Sequence, residues 1–413
     1  MARSPRLRPA PEIADARFGG GAVEVRLQPG LVTVRLPPPP GALGNVGTEF
    51  DQLRRGTVFD LADLTVPIIA APMAGGPSTP DLVVSVGEAG GLGFLAGGYK
   101  TPEALAEQIR EVRARTDQPF GVNLFVPQQP AYDPAAVQEY RVRLRAAAQR
   151  YGIELPPIRE RDDDWFAAKV DLLVEQQVPV VSLTFGLPPA DVVGRLRTAG
   201  ALVIATVTTD AEARAATDLG AGALCVQGPD GGGHRGTFRV EDEPETTPLP
   251  ALIDEITAWC PLPVVAAGGI GDGARIADLL AHGAVAVQLG TAFLRSPESG
   301  AKTAHKDALS DPRFTRTVIT RAFSGRPARG LANEFIATYG EAAPAAYPQV
   351  HHLTSPVRAA AAAGSAPEDM ALWAGTEYRS AAADPAATIL RRLWSEAVAH
   401  GAVGGDRVQR PNR

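Results

Sequence analysis

The chain has 413 residues, 45% of them hydrophobic and 21% charged, with a net charge of -6. This length predicts one large barrel with an appendage, or two to three domains. The acidic balance argues against nucleic acid or an anionic membrane surface as the main partner. The two cysteines, Cys225 and Cys260, sit in apolar runs without a CxxC, which argues against a disulfide scaffold or a structural zinc site. The six histidines are His234, His282, His305, His351, His352 and His400, and they show no HExxH or other metal spacing, so no metal is expected. No apolar h-region follows Arg3, Arg6 and Arg8, and no apolar run approaches the ~20 residues of a membrane span. These features predict a cytoplasmic protein with no membrane partner.

Residues 1–56 read as a partly irregular extension. They hold the run LPPPPG (Leu36 to Gly41), which favours an extended conformation, and a strand pair around Val23–Leu27 and Leu31–Leu36. From Phe59 the pattern becomes regular. VPIIAAPM (Val66 to Met73) suits a buried parallel strand. Ser78 or Thr79 caps the next helix, with Pro80 at its first position. GLGFLAG (Gly91 to Gly97) is a second strand. Thr101 to Thr116 is a helix whose Leu105, Ile109 and Val112 share one face. Pro119 to Val126 is a third strand.

Residues 127–164 interrupt this order. The segment holds a charged helix, roughly Ala135 to Gly152, and an acidic run, Asp162 to Asp164, expected to be a solvated helix start. It exceeds a usual connection and reads as an insertion near the site end of the barrel. Regularity returns with strands at Val178–Gly186, Ala201–Thr208, Ala223–Gln227, Pro263–Gly269 and Ala284–Phe293, each followed by a helix. The last of these helices is expected at Gly300 to Leu309. Eight strand–helix units over ~250 residues predict a (β/α)8 TIM barrel spanning 57–309. An open doubly wound sheet is the competitor, disfavoured because no GxGxxG follows the first strand. Beyond Ser310 the sequence predicts a smaller, mostly helical C-terminal capping subdomain, 310–413. It holds a hairpin within Thr317 to Phe335 and helices around Ser355–Ala363 and Ala386–Ala397.

In such a barrel the site lies at the C-terminal strand ends, and phosphate often binds after strands seven and eight. AAGGIGDG (Ala266 to Gly273) and QLGTAF (Gln288 to Phe293) offer glycine amides there, which suit a phosphate. Asn123 and Gln227 end strands three and six, where their amides hydrogen-bond a heterocycle or cap a loop. Met73 ends strand one, against a flat ring or in ordinary core. His234 stands in the glycine loop after strand six, as a proton-transfer group or a loop brace. His282 and His305 are expected on outer helices at the surface, and His351 and His352 in the tail ahead of a helix.

APMAGGPSTP (Ala71 to Pro80), GGLGFLAGGYKT (Gly90 to Thr101), PFGVNLFVP (Pro119 to Pro127), GGGHRGTF (Gly231 to Phe238), AAGGI and QLGTAF together resemble the nitronate monooxygenase family, also called 2-nitropropane dioxygenases. SGRPARGLANEF (Ser324 to Phe335) and His352 to Arg379 resemble it as well. The resemblance runs from about Thr57 into the tail and leaves the first ~50 residues unexplained. It implies an FMN-dependent barrel with a smaller second domain. By motif it assigns Asn123, Gln227, Gly232, Gly269, Gln288, Leu289, Gly290 and Thr291 to FMN, Met73 to the isoalloxazine ring, and His234 to catalysis. One departure stands out. The family usually carries Glu-Ala before Gly-Gly-His, and here Asp230-Gly231 take that place. The implied activity is oxidation of alkyl nitronates, such as propionate 3-nitronate, by O2 to a carbonyl compound and nitrite. The implied partners are a nitronate or nitroalkane and O2, and a homodimer is left open. Two rivals remain on the same residues. One is an FMN-dependent NAD(P)H reductase of a quinone or enoyl thioester; the other is a barrel that binds a phosphorylated ligand without redox chemistry.

Overall fold

The computed structural model describes residues 59–128 and 132–402, and the backbone of three short strands nearer the N-terminus. Those strands, Ile13–Gly19, Ala22–Leu27 and Val34–Leu36, pair antiparallel in that order. The expected strand pair is thus joined by a third strand; the remainder of the extension lies outside the described residues.

Eight parallel strands close into a barrel: β1 Ile68–Ala70, β2 Leu92–Ala96, β3 Phe120–Phe125, β4 Val180–Thr184, β5 Leu202–Val207, β6 Ala223–Gln227, β7 Val264–Ala267 and β8 Ala286–Leu289. Closure is made by β8 on β1, where Val287 pairs with Ile68. Alternation along each strand divides the core, because successive side chains leave opposite faces. Ile69, Phe94, Ile204, Cys225 and Val265 fill the interior. Ile68, Leu224, Val226 and Val287 face the outer helices instead. A β-carbon on Gly121 would lie 2.2 Å from the Phe94 ring, so the small residue makes room for that plug.

The helices begin where their capping chemistry predicts. Thr79, Thr101, Thr209 and Asp272 each accept a backbone N–H from the first turn of the helix that follows. Each cap stabilises by about 1 kcal/mol.

The eighth outer helix changes place. Gly300 to Leu309 is not the eighth outer helix. Only Thr303–Ala308 is helical there, and it packs under the layer above the barrel. The eighth position is filled by Ala386–Ala399, the last described helix, packed against Pro80–Glu88 and Gly273–Ala281. Its Ile389, Leu390, Leu393 and Ala397 join Leu82, Val86, Ile276 and Leu279 in one core. The gap between β8 and β1 exposes apolar surface that only a helix with such a face can cover.

The layer above the mouth is built from two excursions. The one after β3 supplies Pro134–Arg143 and Arg145–Arg150, two short helices in place of the single one expected. The one after β8 supplies a hairpin, Thr317–Thr320 with Ala328–Leu331, and two helices, Glu334–Tyr339 and Gln349–Ala363. Val137, Tyr140 and Leu144 of the first pack with Phe323, Phe335, Val350 and Leu353 of the second. The hairpin predicted within Thr317 to Phe335 is present, but Glu334 and Phe335 belong to the helix after it, capped by Asn333.

Candidate active site

A cavity of 490 Å³ lies at the C-terminal ends of the barrel strands, under this layer. Its size is that of a cofactor or ligand pocket. Met73, Asn123, Gln227, Gly232, His234, Gly269, Gln288, Leu289, Gly290 and Thr291 all line it.

The floor is set by backbone. Gly268 and Gly269 end β7 with φ of +101° and +67°, in the left-handed region that favours glycine. A β-carbon on Gly268 would stand 2.9 Å from the Gly231 nitrogen, and one on Gly269 2.5 Å from the Asp230 β-carbon. These glycines therefore also let the β7 end close against the histidine loop. Asn123 is buried, and its Nδ2 donates to the Ser182 hydroxyl and to Thr184 Oγ1, both at 2.9 Å. Gln288 Nε2 donates to Cys225 Sγ at 3.4 Å. Thr291 Oγ1 accepts from the Gly375 N–H at 3.0 Å.

Gln227 spends both ends of its amide on the loop that follows it. Its Nε2 donates to the His234 carbonyl at 3.0 Å, and its Oε1 accepts the Gly236 N–H at 2.8 Å. Further ties hold the same loop. Gly233 and His234 pair as a short strand with Arg329 and Ala328 of the hairpin. Arg235 donates to the Gly228 carbonyl, and Arg329 Nη2 to Pro229 O at 3.0 Å. A β-carbon on Gly232 would meet the Gly375 nitrogen at 2.4 Å. The glycine-rich segment is thus a braced strand edge.

His234 Nε2 lies 2.9 Å from Ser324 Oγ, and that hydroxyl lies 3.2 Å from the Arg326 carbonyl. With the serine proton on that carbonyl, Nε2 carries the imidazole proton and Nδ1 is the basic atom. Burial, then the Arg326 and Arg358 charges, push the imidazole down to about 3. His234 is therefore held neutral at pH 7, with Nδ1 free of a proton. Rings of Phe185 and Trp373 flank it at 5.6 and 5.5 Å.

The layer contributes a second wall that the sequence did not single out. Tyr99 stacks on His351 at 4.1 Å with the planes 8° apart, and the Tyr347 and Tyr99 hydroxyls lie 3.2 Å apart. Burial raises the Tyr99 phenol to about 12. His351 and His352 stand in the first turns of Gln349–Ala363, not ahead of a helix, and His351 lines the cavity. His305 is not a surface residue either. It is buried, and Nε2 lies 3.0 Å from the Trp373 carbonyl; burial lowers it to about 4. His282, by contrast, is half-buried on an outer helix beside Asp254, as expected. The acidic run is structural. Asp162 Oδ2 is 2.7 Å from His352 Nε2. Asp164 accepts the Tyr99 N–H at 2.9 Å and pairs at 2.8 Å with buried Lys169, which also donates to the Gly97 carbonyl. Spacing could have found part of this wall: residues 351, 355 and 358 recur on one helical face.

Among the described residues no group of three or more His, Cys, Asp or Glu is placed to hold a metal, and no helix is long and apolar enough to cross a membrane.

Comparison with known proteins agrees with this geometry. The family model described as nitronate monooxygenase matches residues 59–396. A probable nitronate monooxygenase of Staphylococcus aureus strain Newman is 37% identical over 342 residues, covering 82% of this chain and 96% of the relative. One of Staphylococcus saprophyticus is 39% identical over 332 residues, covering 78% and 92%. Among solved structures, a nitroalkane oxidase from Streptomyces ansochromogenes is 48% identical, with a TM-score of 0.80 over 82% of this chain and 98% of its own. FabK from Thermotoga maritima is 28% identical, with a TM-score of 0.64 over 83% and 96%. The barrel, its cavity and these relatives together show that the chain belongs to the nitronate monooxygenase family of flavin-dependent oxidoreductases.

Proposed function

We propose that the protein oxidises alkyl nitronates with O2 on FMN, giving a carbonyl compound and nitrite, with propionate 3-nitronate as one substrate. The observation that carries this reading is His234, held against Ser324 by a braced loop, in the same cavity as the residues of the cofactor motifs.

The cavity suits FMN in its donor set. Asn123 Oδ1 and Gln288 Oε1 receive no protein donor among the described residues, so two acceptors are left for a ring N–H. The glycine amides of Gly269 and Gly290 at adjacent strand ends suit the phosphate. Met73, at the end of β1, lies against Gly290 and offers its thioether to a flat ring. Leu289, Thr291 and Gly232 complete the wall. Gln227 serves by fixing the loop. FMN, when bound, supplies the electron chemistry with O2.

The chain supplies the proton chemistry and the field. His234 Nδ1 accepts the α-proton of a neutral nitroalkane, and Ser324 holds the ring in the required tautomer. An anionic nitronate instead meets a neutral imidazole and the positive field of Arg326 and Arg358. The aromatic wall of Phe125, Phe185, Tyr347 and Trp373 keeps water from the reacting carbon. The test is nitrite release from propionate 3-nitronate in air. Flavin-loaded protein that releases none overturns this reading. A second reading, an NAD(P)H-linked reductase, places the same cofactor motifs on the same barrel; rapid flavin bleaching by NADH under anaerobic conditions favours it.

A further inference from the structure

The cavity holds one guanidinium that the protein leaves incompletely used. Arg358 lies among the lining residues, on Gln349–Ala363. Its Nε donates to Thr354 Oγ1 at 3.1 Å, and its Nη2 to Ser355 Oγ at 2.8 Å, to the His351 carbonyl at 3.0 Å and to His351 Nδ1 at 3.2 Å. Its Nη1 makes no hydrogen bond among the described residues, and the charged or polar groups acting on it are Tyr99 and Tyr347, with no carboxylate. A guanidinium stays charged, and this half-buried one has no counter-ion among the described residues. Lys302 is the other cation among the lining residues, and the arginines nearby are committed elsewhere. Arg326 donates to Thr237 O and Gln128 Oε1, while Arg235 and Arg329 donate to loop carbonyls.

The bonds around Arg358 also prepare donors. An arginine can only donate, so His351 Nδ1 is the acceptor, and the neutral ring carries its proton on Nε2. His351, Ser355 and Arg358 recur at spacings of four and three along one helical face, and all three line the cavity. Glu377 is the one acidic side chain among the lining residues. This face lies in the helical layer, whereas the glycines suited to a phosphate end β7 and β8 in the floor.

Resting on the reading of the site as a nitronate oxidase, we propose that Arg358, with His351 and Ser355 beside it, binds a carboxylate on the substrate, so that the enzyme prefers nitronates carrying an acid group. The nitronate end then lies at His234 and the acid end at the helical layer. A bidentate guanidinium–carboxylate pair fixes orientation as well as affinity.

The test compares propionate 3-nitronate with propyl-1-nitronate, in which a methyl replaces the carboxylate. In Arg358→Met the ratio of the two kcat/KM values is expected to fall about 10²-fold in favour of the substrate without the carboxylate, mainly through KM. Arg358→Lys is expected to recover part of that ratio. FMN content per chain should stay at the wild-type value. Equal losses on both substrates overturn the proposal. So does loss of FMN from Arg358→Met, which assigns the anion to the cofactor phosphate. A readout without turnover separates this from the oxidase reading. Titration of the FMN-loaded protein with 3-nitropropionate, followed by the flavin absorbance change, should give binding that Arg358→Met weakens by a similar factor. That outcome sustains the carboxylate site even where no nitrite is released, and an equal affinity in the two proteins overturns it.

Discussion

The floor of the cavity and the layer above it recognise ligand by different means. The floor is backbone and short amides at strand ends, fixed by barrel closure and by left-handed glycines at the end of β7. The layer is long side chains, Tyr99 from the loop after β2 and Tyr347, His351, Arg358 and Trp373 from the excursion after β8, held by one another. A backbone floor tolerates little change in shape, because no rotamer can relieve a clash with main chain. A side-chain layer can exchange chemistry while keeping its packing. The contrast suggests that the floor sets which cofactor class is held and the layer sets which substrate is chosen.

The largest effect that probes this division falls on the residue joining the two. His234→Asn should retain FMN and lose nitroalkane turnover by about 10²–10⁴, the usual worth of a general base. An unchanged rate removes His234 from proton transfer. Next, Gly232→Ala drives a β-carbon into the Gly375 backbone at 2.4 Å. Overpacking of this kind costs about 1–3 kcal/mol, so thermal melting should show a clear drop in Tm, together with reduced FMN content. A fully stable, flavin-replete Gly232→Ala protein would show that the floor is softer than its geometry implies.

The layer has a pH signature of similar size. His305 is buried and its pKa is lowered from 6.5 to about 4 by burial. The unfolded chain therefore binds the proton first. Stability is full above pH 6.5 and is lost as pH falls from there toward 4, by about 3 kcal/mol in total. His305→Gln, which can still donate to the Trp373 carbonyl, should flatten the stability slope in this window when unfolding is followed by urea titration. An unaltered slope assigns the acid sensitivity elsewhere, His351 being the next candidate.

The smallest effect concerns the departure from the family pattern. A β-carbon on Gly231 would meet nothing closer than 3.4 Å, and its φ is not in the left-handed region. Gly231→Ala should therefore be neutral, or stabilise by about 0.4–1 kcal/mol through the unfolded chain, with nitronate kinetics unchanged. The Asp230 carbonyl meanwhile accepts the Thr376 N–H at 3.1 Å, a backbone tie that any residue can make. A large loss of activity in Gly231→Ala would instead tie the Asp230-Gly231 pair to substrate choice.

What the sequence by itself determined is whatever depends on local pattern. Short apolar runs between capped helices specify eight strand–helix units, since burial on both faces and a Thr or Asp cap leave few other solutions. Glycines and amides at the strand ends are legible for the same reason: the strand carries each one to the mouth. Tertiary structure alone decided the rest. The eighth outer helix is separated from β8 by the second excursion, so chain order pointed to Gly300–Leu309 while packing chose Ala386–Ala399. Buried His305 and half-buried His351 read as surface or tail residues, because one polar residue on a helix does not reveal what covers it. Arg358 likewise reads as one more tail arginine. Its open Nη1 exists only once Gln349–Ala363 is laid across the barrel mouth with no carboxylate beside it, a relation between distant segments that local pattern does not encode.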